Sequence, residues 1–310
     1  MDIRSLLFDE TGRVRSGWRF VIFSVGFLCV VVLVGSFAGA VLQAVDPSPG
    51  ESGAGRLATA LTALTGALLV GWLCGKYLEG LPFRALGAWF TKGWLRNLIC
   101  GILFGAATLS LAVFIAFVFG GLRFEFNNID GAALTHSLGA SFLIFALGAA
   151  WEEALFRGYI LQTFARSGLG VLAITLTAVF FGAIHAKNPN VDKLAVVNTM
   201  LAGVWFGVAY LKTRDLWFVW GIHLMWNWMQ GAFFGIEVSG ITSLVPAPLL
   251  REIDRGPAWL TGETYGVEGG VVTTIALIIS TVVIYFLPYL KPSGDVNANL
   301  RAEAVATTGS

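Results

Sequence analysis

Charge is the scarcest commodity in this chain. Of 310 residues only 13% are Asp, Glu, Lys or Arg, about half the share of an ordinary soluble domain. Set against 56% hydrophobic residues and a mean hydropathy of +0.75, so little charge cannot coat a water-facing surface, and a soluble globule is excluded. An excess of one sign is missing as well. Twenty Lys+Arg against 19 Asp+Glu leave a net charge of +1, so no nucleic-acid partner is expected. Cysteine is scarce too: Cys29, Cys74 and Cys100 each sit inside an apolar run and form no CxxC. Neither a disulfide framework nor a thiolate zinc site is indicated. What the chain has in quantity is long apolar runs and 38 glycines, residues that let membrane helices approach closely.

A bilayer core about 30 Å thick needs ~20 apolar residues of helix, and in lipid only helices and closed barrels satisfy their own backbone groups. Eight uncharged runs qualify, over residues 20–45, 57–75, 97–122, 131–151, 167–186, 194–211, 216–236 and 269–290. They are far longer than the ~10-residue alternating segments of a barrel. The expected fold is therefore all-α, a polytopic membrane bundle of about eight transmembrane helices. A cleaved signal peptide is not expected, because the first run is too long and follows 19 mostly polar residues.

Lysine and arginine set orientation. With residues 1–19 in the cytoplasm, 14 of the 20 cations fall on the inner side and 6 (Arg56, Arg123, Lys187, Lys193, Arg251, Arg255) on the outer. Both termini are therefore expected inside, with residues 291–310 a disordered cytoplasmic tail that lacks apolar periodicity. Residues 20–136 hold the first three spans, and 237–268 form a long outer loop broken by Pro246, Pro248 and Pro257. No internal repeat is evident, which counts against a transporter built from two related halves.

Ionisable groups at membrane depth cost about 2.5–3.5 kcal/mol each even on the lenient insertion scale. Seventeen of the 19 acidic residues can be placed in loops or tails; the other two, Glu152 and Glu153, are adjacent on the fourth span. Neighbours on a helix point ~100° apart. Glu153 and Arg157 form an i,i+4 pair in the favourable order and can neutralise each other. Glu152 projects elsewhere and lacks a partner on its own helix, so a purely structural ion cluster leaves it unexplained. His185 and His223 also lie in apolar runs, whereas His136 sits near an outer boundary.

Folding the chain back brings these groups together. With a turn near residues 167–170, Glu152 and His185 each lie ~25 Å from it, at one height. Asn227, on the second arm of the hairpin that turns at residues 212–215, lies ~20 Å from that turn. It shares a face with His223. Phe181, one turn before His185, can hold its ring by packing.

A carboxylate among apolar neighbours suits proton abstraction from water near neutral pH. Glu152 with His185 can activate a water molecule, and His223 with the Asn227 amide can stabilise the oxyanion formed at a carbonyl. The chemistry is peptide or ester hydrolysis. No serine or cysteine is clearly paired with a base, and HExxH is absent. Glu152, His185 and His223 are also enough for a catalytic zinc with an open position. Sequence leaves the two mechanisms open.

Three motifs carry a resemblance. EEALFR (152–157) looks like EExxxR, FGAIH (181–185) like FxxxH, and HLMWN (223–227) like HxxxN. In this order, on separate helices, they resemble the CPBP intramembrane protease family. This superfamily contains the CAAX prenyl endopeptidases and bacterial bacteriocin-processing and self-immunity (abortive-infection type) proteins. Residues 137–236 are the core of the resemblance, and GRVRSGWR (12–19) and TGETYGVEGG (261–270) also look like bacterial members. The resemblance implies an eight-helix fold with an intramembrane cavity. In it Glu152 and His185 activate water, His223 and Asn227 stabilise the oxyanion, and Glu153, Arg157 and Phe181 support them. It implies a membrane-associated peptide or protein as substrate, and a bacterial or archaeal plasma membrane as the setting. Because the family has been described both as metal-dependent and as glutamate-dependent, no cofactor is assigned, with zinc the alternative. The prenyl-protein substrate is not carried over.

Two other classes remain. A proton- or ion-coupled transporter would use Glu152, His185 and His223 as a relay, but it has no need of the amide in HxxxN. A catalytically inactive membrane scaffold or immunity factor would keep its effect after Glu152→Ala. Oligomeric state leaves no mark in the sequence.

Overall fold

The computed structural model describes residues 3–10, 12–44, 48 and 52–292. The tail expected to be disordered lies, beyond residue 292, outside the described residues. In chain order the elements are α1 (Ile3–Leu7), α2 (Ser16–Gln43), α3 (Gly53–Glu79), α4 (Trp94–Val118), β1 (Leu122–Phe126) and α5 (Gly131–Glu153). A π-helical stretch (Ala154–Ile160) continues α5 into α6 (Leu161–Arg166). There follow α7 (Gly170–His185), α8 (Lys193–Thr213), α9 (Leu216–Trp228) with its own π-helical continuation (Met229–Phe233), β2 (Leu250–Asp254), α10 (Ala258–Thr261) and α11 (Val271–Phe286).

The chain is a polytopic helical membrane bundle, as its composition predicts. Each of the eight apolar runs contains a helix, though not all are long. Five helical units are long and apolar enough to cross a membrane alone: α2, α3, α4, the 36-residue unit Gly131–Arg166, and α8. Helices α7 and α11 have 16 residues each, about 24 Å of rise, short of a 30 Å core. The apolar run 167–186 overcounts because it includes a turn: Ser167, Gly168 and Leu169 close hydrogen bonds back to Phe164 and Ala165.

Local chemistry sets the helix ends. Ser52, Asp130, Asp192 and Asp215 each accept a backbone N–H from the first turn that follows, and so cap α3, α5, α8 and α9. Gly80 (φ 71°) ends α3 in the left-handed region. Helix α9 lies at the centre of the bundle, packed on α4, α5 and α8, with Phe218, Val219 and Ile222 fully buried. Glycine makes this possible. A Cβ at Gly101 or Gly105 of α4 would overlap the carbonyls of Phe218 or Ile222, and one at Gly221 would meet the α4 backbone at Leu98.

Two features depart from the sequence expectation. The apolar run 97–122 stops being helical at Val118, and β1 pairs antiparallel with β2, in register Leu122↔Asp254 to Phe126↔Leu250. Leu122, Phe124 and Phe126 alternate with Arg123 and Glu125, the period-two pattern of a strand. The long segment 237–268 is thus an ordered cap containing β2, α10 and several 3-10 turns, tied to the α4–α5 connection. Second, Glu79 is not a solvated loop residue. The residue is 8% exposed at the end of α3, and its carboxylate binds Arg19 Nη1 and Arg166 Nη2, each at 2.9 Å. This charge knot ties α2, α3 and α6 together.

Candidate active site

The structure brings every residue of the three motifs to one place. Glu152 and Glu153 form the last turn of α5, directly before the π-helical stretch that contains Arg157. His223 and Asn227 lie on α9 just before the second π-helical stretch. Such insertions re-aim side chains and concentrate at functional positions. No apolar periodicity announces them, so the sequence reading missed both.

Glu153 and Arg157 are 1% and 0% exposed and pair at 3.0 Å. The guanidinium also donates to the Gly203 carbonyl (3.2 Å) and lies between the rings of Phe181 and Phe206, 5.0 and 4.9 Å from their centroids. Glu153 has a second partner that helical spacing does not show: His223 Nδ1, 2.8 Å from Oε1.

That contact fixes a tautomer. A carboxylate can only accept, so Nδ1 of His223 carries the proton and Nε2 is left with its lone pair in the neutral ring. His185 is set the same way, since its Nδ1 lies 2.8 Å from the Phe181 carbonyl. Both bare Nε2 atoms face Glu152, whose Oε2 is 4.0 Å from His185 Nε2 and 3.9 Å from His223 Nε2. Glu152 Oε2 is buried and has no hydrogen-bond partner among the described residues. Three acceptors thus converge, and a donor is needed among them.

Phe181 holds both histidines, with ring centroids at 4.6 Å from His185 and 6.0 Å from His223. Phe206 of α8 stacks on His223 at 4.7 Å and 23°, a support that no motif signalled. Asn227 lines the cavity and its amide makes no hydrogen bond with the described residues. His136 is exposed near the start of α5, away from the cluster.

The cavity has a volume of about 400 Å³. Glu152, His185, His223 and Asn227 share its wall with apolar groups such as Phe145, Trp151 and Ile184. Asn198 of α8, between the motifs, and Ser239 and Glu268, beyond residue 236, complete the wall. TGETYGVEGG, which contains Glu268, resembles bacterial relatives, but nothing in its spacing shows that it folds back onto the site.

Zinc is the metal that Glu152, His185 and His223 would suit. Tetrahedral zinc with bonds of 2.0–2.1 Å draws its donors to about 3.4 Å from each other. The separations here are wider, at 4.0 and 3.9 Å, and among the described residues no group of three His, Cys, Asp or Glu is placed to hold a metal. As they stand, these atoms fit a water molecule that donates to two of them at about 2.8 Å each.

Comparison with known proteins follows the same residues. An uncharacterized protein of Bacillus subtilis (strain 168), YyaK, is 25% identical over 147 residues, 47% of this chain and 46% of that protein. The chain therefore spans about half the length of the curated relative it matches. No solved structure matches. Residues 134–229, which contain all three motifs, match the family model described as type II CAAX prenyl endopeptidase Rce1-like, a family of proteases. Over residues 134–229, which supply Glu152, His185, His223 and Asn227 to the cavity wall, this chain is similar to the Rce1-like CAAX endopeptidase family.

Proposed function

We propose that this protein is an intramembrane endopeptidase that hydrolyses a peptide bond of a membrane-associated protein or peptide by means of an activated water. One observation carries the reading: a buried, unpartnered carboxylate oxygen of Glu152 faces two histidine nitrogens whose tautomers leave them as acceptors. Water placed there donates to Glu152 Oε2 and His185 Nε2. As its oxygen attacks the scissile carbonyl carbon, its proton passes to Glu152. The oxyanion is stabilised by the Asn227 amide and by His223, whose Nε2 takes a proton from solvent before the attack, donates it to the oxyanion as a hydrogen bond and keeps it through collapse. Collapse breaks the C–N bond, and the proton held by Glu152 passes to the leaving amine. Glu153, Arg157 and Phe181 orient the two rings. Zinc, if bound by Glu152, His185 and His223, would supply a Lewis acid for the same carbonyl.

Residues 137–236 are the catalytic core in this reading, and 237–268 the cap that closes the cavity. The excess of cations on one side supports both termini in the cytoplasm, and the likeness to a Bacillus subtilis protein supports a plasma membrane of bacterial or archaeal type. The test compares the termini of membrane proteins by mass spectrometry in cells carrying wild type or Glu152→Ala at equal level. New termini that appear only with the wild type are expected, and they identify the substrate. Identical termini, with good membrane coverage, would overturn the reading and direct attention to proton-coupled uptake.

A further inference from the structure

Glu268 stands out among the groups that the hydrolytic mechanism does not use. It is a second carboxylate on the cavity wall, and each of its partners is a donor. Oε1 accepts from the indole of Trp226 (3.1 Å), and Oε2 accepts from the backbone N–H and the hydroxyl (2.9 Å) of Ser239. Trp226 lies between His223 and Asn227 on α9 and is 4% exposed. Ser239 belongs to the turn Val238–Ile241, which closes through Ile241 N–H to the Val238 carbonyl at 3.0 Å. Both central residues of that turn have positive φ, Ser239 at 52° and Gly240 at 76°. Glycine takes such a conformation freely; serine does so at a cost, which surrounding contacts must offset.

The base of this clamp is rigid. Asn198, 1% exposed on α8, donates to the carbonyls of Glu268 (2.8 Å) and Gly270 (2.9 Å). The turn is also held from the other side, where Asn188, three residues past His185, donates to the Ser239 carbonyl at 3.2 Å. Of the four non-glycine residues with positive φ among the described residues, Asn190, Ser239 and Glu263 lie in these interlocking segments. The fourth, Arg214, ends α8. Unfavourable backbone is thus concentrated in the roof of the cavity.

We propose that Glu268 is a positioning residue. Its carboxylate holds the Trp226 indole and the Val238–Ile241 turn as a fixed rim over Glu152, and this rim sets which bond of a bound chain meets the activated water. The inference rests on the endopeptidase reading and refines it. The charge matters, because an amide at this position would turn its NH2 against one of the donors.

The test uses the full chain with Cys29 and Cys100 replaced by alanine, Cys74 kept, and Val238→Cys introduced. Val238 is 4% exposed and lines the cavity, and Cys74 is 6% exposed in α3, far along the chain. N-ethylmaleimide labelling of Val238→Cys reports opening of the roof, and labelling of Cys74 reports global opening. Glu268→Gln and Glu268→Ala are each expected to speed labelling at 238 by about tenfold, the effect of one lost charge-assisted hydrogen bond. Labelling of Cys74 should stay unchanged. In cells, the same variants without the added cysteine should shift the Glu152-dependent termini to neighbouring bonds of the same substrates. Unchanged labelling at 238, equal acceleration at both cysteines, or unshifted cleavage positions would each overturn the proposal. Absence of any Glu152-dependent terminus with the wild type would instead count against the endopeptidase reading, and labelling alone would then decide whether the clamp exists.

Discussion

Glu153 shows how much one buried carboxylate can organise. It neutralises Arg157, which is wholly buried, and orients His223 from the far side of the ring. Removing it leaves a buried guanidinium with the Gly203 carbonyl and the faces of Phe181 and Phe206 but without its bonded carboxylate, so Glu153→Ala should destabilise the protein by about 3–5 kcal/mol. The double variant Glu153→Ala/Arg157→Met should recover much of that loss, because the orphaned charge is gone. Thermal unfolding of purified protein in detergent checks both. A double variant no more stable than the single one would show that the charge imbalance is not the cause. The i,i+4 spacing made the Glu153–Arg157 pair legible in the sequence. The Glu153–His223 contact spans 70 residues and was not, since it depends on how α5 and α9 pack.

Among the elements, the β1–β2 ribbon carries the clearest pH dependence. Glu252 of β2 lies beside Glu237 and Asp254. Burial first, and then these two negative neighbours, push its carboxyl up from an ordinary 4.5 to about 8. The folded state therefore holds a proton that the unfolded chain gives up above pH 4.5. The stability this contributes is present below that pH and is lost as pH rises through about 8. Ribbon amides should exchange with deuterium faster as pH is raised across this window, after correction for the intrinsic rate, and Glu252→Gln should flatten the trend. A flat trend in the wild type would remove the basis of the prediction. The ribbon was partly legible: alternation in LRFEF is a strand pattern, but only Leu122 falls within the third apolar run, and the four residues after it read as the outer loop that follows. The π-helical stretches left no comparable trace, because one extra residue in a turn changes neither composition nor run length.

Across the whole molecule, the site is deep when measured from the turns at residues 167–170 and 212–215 but shallow from the other end. His185 is the last residue of α7. The cavity lies beside the α7–α8 connection and under the 237–268 segment, at the end of the bundle that cation counting assigns to the outside. Lys187, exposed in that connection, offers the test. With Cys29 and Cys100 replaced by alanine, Lys187→Cys should react in intact cells with a membrane-impermeant maleimide. Reaction only after the cells are opened would invert the orientation and place the cavity mouth in the cytoplasm.

Taken by itself, the sequence determined the membrane, the helices and the chemical groups of the proposed site. Each rests on something local: hydropathy over ~20 residues, helical spacing, and the cost of burying an ionisable group without a use for it. Tertiary structure alone decided what those groups face. Both histidine tautomers, the unpartnered oxygen of Glu152, the burial of Glu79 between two arginines and the reach of Glu268 to Trp226 and Ser239 depend on residues far apart in the chain. A hydrogen bond is directional and short, so which donor meets which acceptor is settled only once helices, turns and cap are packed at fixed distances.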